Sequence, residues 1–121
     1  MKRGIGLKYA LQGLVHAARA ERNMRIHLAA AAGAVALGVY GRITAAEWLW
    51  VALAIALVIS AEAVNTAIER VVDLTVGTAR EPLAGQAKDA AAGAVLVLAA
   101  FSLVVLAVVL VPAVLTRWNG A

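Results

Sequence analysis

Residues 48–73 read WLWVALAIALVISAEAVNTAIERVVD, and the change of chemistry inside that stretch decides the fold. From Trp48 to Ile59 the chain is wholly apolar, and from Glu62 onward polar residues enter at helical spacing. A helix needs about 20 residues to cross a hydrocarbon core ~30 Å thick. Trp48 to Ile68 supplies that length, with Trp48 and Trp50 as interface anchors. A charged side chain deep in such a span costs about 3 kcal/mol on insertion scales, so carboxylates kept there usually face a bundle interior and serve a function.

The composition of the whole chain agrees with a membrane setting. Of 121 residues 64% are hydrophobic and only 15% charged. The mean hydropathy is +0.88. So few charges cannot solvate the outside of a globule this small, so much of its surface must face lipid or a large partner. Ala, Val and Leu dominate, and no alternating apolar and polar segments suggest barrel strands, so the spans are expected to be helical. Cysteine is absent, which excludes a disulfide framework and a thiolate metal site. The predicted fold is an all-α integral membrane protein.

Residues 5–22 read as an amphipathic surface helix. Leu7, Leu11, Leu14 and Ala18 recur at helical spacing, while Lys8, Gln12, Arg19 and Arg22 take other faces. With Lys2, Arg3 and Arg25, this region suits an anionic membrane surface. Polar residues interrupt it throughout, so it is read as mature protein rather than a targeting signal. The surface helix is expected to turn into the first span near Glu21. Three spans follow, at about 23–41, 47–73 and 88–116, within one membrane domain covering residues 1–121. Gly41-Arg42-Ile43-Thr44 forms a turn, the second helix begins near Glu47, and Thr75 to Gln86 forms the second connection. Pro82 suits the first turn of a third helix, and Pro112 is placed to kink or end it. The N-terminal segment and the 70–88 connection hold most of the basic residues, leaving Arg42 and Arg117 opposite. The positive-inside rule then puts the N-terminus in the cytoplasm and the C-terminus outside.

Chemistry concentrates in one stripe. Glu62, Asn65, Glu69 and Asp73 fall within about 80° of one another on a helix, with Thr66 beside them. Glu69 and Asp73 sit near the inner boundary, while Glu62 lies about 10 Å deeper at 1.5 Å per residue. Glu21, counted from the other end of the first span, lands level with Glu69. Two carboxylates there could share a hard divalent cation such as Mg²⁺. Lys88 and Asp89 enter the third span from the same side, where Lys88 would meet phosphates. Glu62, desolvated at its depth, suits a general base for a lipid alcohol. Together these features suit phosphoryl transfer from soluble ATP to a lipid hydroxyl.

Other readings of the stripe stay open at this level. Buried Asn65 and Thr66 could simply join helices by hydrogen bonds. Intramembrane carboxylates could also relay protons or ions in a non-enzymatic conducting oligomer. His16 and His27 read as interfacial polar residues, and Gly33 and Gly38 as close-packing positions. No Walker A sequence and no G-x-G-x-x-G is present, so no general nucleotide motif supports ATP binding.

The pattern Glu62-x-x-Asn65-x-Ala67-Ile68-Glu69-x-x-Val72-Asp73, followed by Ala87-Lys88-Asp89 and small residues, resembles the prokaryotic diacylglycerol kinase family, which includes undecaprenol kinases. Glu21 with Arg25 matches too, and the resemblance covers nearly the whole chain. It implies a homotrimer with active sites between subunits, using ATP and Mg²⁺. Glu62 would be the catalytic base, Glu21 and Glu69 the metal ligands, and Asn65, Asp73, Lys88 and Asp89 the residues that organise or contact nucleotide. The family's setting would be the bacterial inner membrane.

Two departures bear on substrate. Diacylglycerol-specific members carry an acidic residue where this chain has His27, and tend to carry Gly-Ser where it has Ala91-Ala92. The segments Glu21–Leu28 and Lys88–Gly93 look more like the undecaprenol kinase branch. Undecaprenol is therefore the expected acceptor, with diacylglycerol as the alternative and salvage of undecaprenol into a carrier lipid as the implied role.

Overall fold

A computed structural model describes residues 6–120 of the chain. Lys2, Arg3 and the expected helix start at Ile5 lie outside the described residues. The helices are α1 (Gly6–Ala20), α2 (Arg22–Gly41), α3 (Ala45–Val76), α4 (Pro82–Val105), a π-helical segment (Leu106–Leu110) and α5 (Val111–Trp118). Helix α1 buries only Ala17, as expected of a helix lying on a surface. One extended residue, Glu21 (φ −116°, ψ 121°), separates it from α2. Helices α2, α3 and the continuous run Pro82–Trp118 are each long and apolar enough to cross a membrane.

The turns have local causes. At the end of α2, Arg42 adopts a left-handed conformation (φ 53°), and the Ile43 N–H donates back to the Gly38 carbonyl at 3.2 Å. These bonds satisfy carbonyls the helix leaves open. Helix α3 starts two residues earlier than the sequence suggests, because Glu47 is not its first residue but the third of its first turn. The Glu47 N–H donates to Thr44 Oγ1 at 3.1 Å, and the Thr44 N–H donates to Glu47 Oε1 at 3.0 Å. This reciprocal pair is a capping box.

At 1.5 Å per residue the 32 residues of α3 extend about 48 Å, well beyond a hydrocarbon core. The helix runs through Val76 and stops where Gly77 (φ 57°) reverses the backbone. Helix α4 starts at Pro82, six residues before the expected span, so the connection is residues 77–81 rather than 75–86. The helical hairpin of α3 and α4 therefore projects past the apolar layer on the side that carries α1 and Glu21. Pro112 neither ends nor breaks the last helix. Proline has no N–H, and its ring collides with the carbonyl four residues back. The chain widens just before it into a π turn, whose Val111 N–H reaches Leu106 O, and α5 continues.

The apolar core lies at the opposite end, where Ile43, Val51, Ala54, Val105, Val109 and Leu110 are buried together. Trp48, Phe101 and Ala113 pack against them. Many other large apolar residues point outward, among them Leu49, Val64, Leu96 and Leu103. Such exposure is what lipid or a neighbouring apolar surface would cover.

Two glycines let α2 approach its neighbours. A methyl group on Gly38 would stand 2.6 Å from the Trp48 ring, and one on Gly41 would stand 3.0 Å from Ala113 Cβ and 3.2 Å from its carbonyl carbon. Gly33, expected to be a close-packing position, faces open space instead. The Trp48 ring edge can yield, whereas the Ala113 backbone cannot move without shifting α5. Gly41→Val should therefore lower stability by about 1–3 kcal/mol through overpacking, while Gly33→Val should change it little. Thermal unfolding in detergent, followed by circular dichroism, checks both.

Candidate active site

The buried face of α3 changes chemistry partway along. Val51, Ala54, Val58, Glu62, Asn65 and Thr66 form one buried stripe, apolar in its first half and polar in its second. Burial therefore continues along the face while the side chains become hydrogen-bonding groups. Glu62 is only 1% exposed. Thr66 Oγ1 donates to the Glu62 backbone carbonyl at 3.0 Å, a local bond that spares the hydroxyl a separate partner. Asn65 Nδ2 donates to Glu69 Oε1 at 3.4 Å.

Two buried acceptors remain. Glu62 Oε1 and Asn65 Oδ1 have no hydrogen-bond partner among the described residues. Buried polar atoms without partners are uncommon, and each calls for an explanation such as a bound water, an ion or a catalytic role. His27 Nε2 of α2 stands 3.3 Å from Glu62 Oε1. The charges of Glu21 and Glu69 also reach Glu62, so three carboxylates act on one another at this end of the bundle.

Glu21 owes its place to the joint between α1 and α2. As the extended residue between two helices, it stands 4.0 Å from Arg70 Nη2 of α3, with about a quarter of its side chain exposed. Arg25 holds the joint from α2, donating from one guanidinium nitrogen to the Ala18 and Arg19 carbonyls at 3.0 and 2.9 Å. Those carbonyls are among the last of α1 and have no partner within the helix.

Further out, Lys88 Nζ of α4 meets Asp73 Oδ1 of α3 at 2.5 Å. Both side chains are well exposed, and Glu69 also lies within electrostatic range of Lys88. Asp73, Arg80, Glu81 and Lys88 line an open recess at the α3–α4 connection. Asp89 is exposed on α4. The seven sequence-predicted residues thus lie in two neighbouring groups. Glu21, Glu62, Asn65 and Glu69 form a buried to half-buried set, and Asp73, Lys88 and Asp89 lie at the more exposed edge.

Sequence reasoning missed His27 and Arg70 as members of the site. In the sequence Arg70 stands out only as one of the basic residues of the 70–88 connection. A signal for His27 was available: six residues after Glu21, it lies about 9 Å deeper along α2, close to the depth of Glu62.

Among the described residues no three acidic or histidine side chains form a ready metal cluster. The donors present nevertheless suit Mg²⁺. Glu21 and Glu69 are carboxylates, and Asn65 Oδ1 is a neutral oxygen without a partner. Mg²⁺ is commonly held by one or two carboxylates, with substrate phosphates and water completing its shell.

The family profile described as prokaryotic diacylglycerol kinase matches residues 8–110, a span containing all seven predicted residues and His27. An undecaprenol kinase of Bacillus subtilis is 40% identical over 104 residues, which is 86% of this chain and 84% of that protein. A diacylglycerol kinase of Synechocystis is 38% identical over 112 residues, which is 93% of this chain and 64% of that protein.

Removing the clamp on the joint should loosen α1 without unfolding the bundle. Arg25→Ala gives up charge-assisted bonds of about 1.5–3 kcal/mol each before discounting for their exposure. Amide exchange over residues 14–20 should speed up several-fold, while exchange in α3 stays as in the wild type. Hydrogen exchange with mass spectrometry measures both segments in one experiment.

Proposed function

The chain belongs to the prokaryotic diacylglycerol kinase family, and from that premise we propose that it moves the γ-phosphate of ATP onto the hydroxyl of undecaprenol, with Glu62 as the general base. Membership makes it a membrane lipid kinase and decides for an enzyme over a conducting oligomer. The observation that carries the role of Glu62 is a buried carboxylate with an unpartnered oxygen, placed beyond the solvent-exposed Asp73–Lys88 pair.

In the proposed reaction the lipid hydroxyl oxygen attacks the γ-phosphorus, and the bond from that phosphorus to the β–γ bridging oxygen breaks. ADP leaves with the bridging oxygen, and Glu62 takes the hydroxyl proton. Glu21 and Glu69 would hold Mg²⁺, which supplies positive charge to the phosphate oxygens when bound. Asn65 orients Glu69 through the bond from its Nδ2. Lys88, held by Asp73, stands where it can neutralise a phosphate, and Asp73 and Asp89 order the nucleotide's surroundings.

Undecaprenol is favoured over diacylglycerol by His27 and by Ala91-Ala92, and by the relative at 40% identity named undecaprenol kinase. The diacylglycerol kinase relative, at 38%, keeps phosphatidic acid as the alternative product. The resemblance supports a homotrimer with sites between subunits. The basic residues gathered around α1 and the α3–α4 connection support a cytoplasmic N-terminus and an external C-terminus in the bacterial inner membrane. Regeneration of the carrier lipid for envelope synthesis is the corresponding role.

The test is phosphorylation in mixed micelles with Mg²⁺ and ATP, offering undecaprenol and diacylglycerol separately. The wild type should phosphorylate undecaprenol preferentially, and Glu62→Gln should lower kcat by about 10²–10⁴, the range of a lost general base. Preference for diacylglycerol would overturn the substrate, and full activity of Glu62→Gln would overturn the base. Glu69→Gln should separately raise the Mg²⁺ concentration needed for half-maximal rate, as read from a titration at saturating ATP.

A further inference from the structure

His27 is the one histidine brought against the buried carboxylate, and it comes from a different helix. Its Nε2 stands 3.3 Å from Glu62 Oε1, an oxygen that has no hydrogen-bond partner among the described residues. We propose that His27 is a positioning residue for the phosphoryl transfer: its Nε2–H fixes one oxygen of Glu62 and leaves the other directed at the acceptor hydroxyl. This role rests on the reading of Glu62 as the base.

Three features support it. First, the contact is short but not aligned as a hydrogen bond in the resting arrangement. Catalytic hydrogen bonds are often long or poorly aligned before substrate binds and tighten in the reactive complex. Second, the Glu62 side chain is 2% exposed, so bulk water has little access to its carboxylate. A neutral imidazole with its proton on Nε2 can hold it in one orientation, because one ring nitrogen then donates while the other remains an acceptor. Third, His27 is partly open, and the face it shows lines an apolar cavity of about 310 Å³. Ala30, Ala31 and Ala34 of α2 and Val58 and Ile59 of α3 also line that cavity. The imidazole therefore stands between an apolar space and the carboxylate, a place that suits the head of a lipid alcohol. The remaining oxygen donors nearby, Glu21 and Glu69, carry no hydrogen to give when ionised, so neither can replace the imidazole as a donor.

A merely structural partner and a positioning partner differ in what they do to turnover. The full chain is assayed in mixed micelles with undecaprenol and Mg²⁺-ATP, as the wild type, His27→Ala and His27→Gln. The Ala variant should lose roughly tenfold to a hundredfold in kcat, the scale on which orienting partners act. Its KM for ATP and for lipid should stay within about twofold, as expected when an interaction serves the transition state alone. The Gln variant carries an amide N–H at similar reach and should recover kcat to within about fivefold of the wild type. Should the Ala variant unfold, His27→Asn takes its place, its amide being too short to reach Glu62. Wild-type kcat in the Ala or Asn variant overturns the proposal. So does a Gln variant no better than Ala or Asn, or a change confined to KM. A wild type that phosphorylates no lipid alcohol defeats the kinase reading and this role with it. An active wild type with an indifferent variant defeats this role alone.

Discussion

A carboxylate inside a hydrocarbon layer is the constraint on which the rest of this structure depends. Placing Glu62 within a span costs about 3 kcal/mol on insertion scales, and no single helix facing lipid offsets that. The side chain must turn toward protein, so α3 has a fixed rotation: the face carrying Glu62 is the face that α2 and α4 cover. The same rotation carries Asn65 and Thr66 inward one turn later. In the other direction it turns Val58, Ala54 and Val51 inward, and the last two belong to the apolar cluster around Leu110. One expensive residue thus orients a whole helix, and the cheaper apolar positions agree with it.

Depth is the second consequence of the same geometry. A helix converts sequence separation into distance across the layer at 1.5 Å per residue. Along α3 this lays out a buried carboxylate, a half-buried one and an exposed aspartate in order, from Glu62 through Glu69 to Asp73. Helix α2 runs the other way, so Glu21 starts beside Arg70 and His27 arrives beside Glu62. A soluble nucleotide and a lipid alcohol occupy different phases. In the proposed reaction, two antiparallel helices that each carry groups at graded depth would bring them together. The overshoot of α3 and α4 beyond the apolar layer matters here, because it raises Asp73 and Lys88 to where phosphates in water can reach them.

Much of this was legible in the sequence. The break near Glu21, the turn at Gly41–Thr44, Pro82 in a first helical turn and the one-sided stripe on α3 all follow from spacing and from residues with strong local preferences. What failed were features with no local signature. The 75–86 connection shrank to 77–81 because apolar periodicity says little where helices leave the membrane, and only the reversal at Gly77 sets the end. Pro112 gave the correct warning of irregularity but not its form, since a π turn relieves the proline clash without ending the helix. Gly33 and Gly38 look alike in sequence. Only packing distinguishes them, and it places Gly38 against Trp48 and leaves Gly33 open.

His27 shows why a site can be harder to read than a fold. Taken alone, an imidazole near a membrane boundary is an ordinary interfacial residue. Its position acquires meaning only when the two helices are set antiparallel and their depths compared. The departure from an acidic residue at this place then has a physical content. A second carboxylate against Glu62 would add like charge in a desolvated space, whereas an imidazole can donate a proton to the carboxylate as a hydrogen bond. In this chain the side chain that α2 brings to the buried carboxylate is an imidazole, 3.3 Å away.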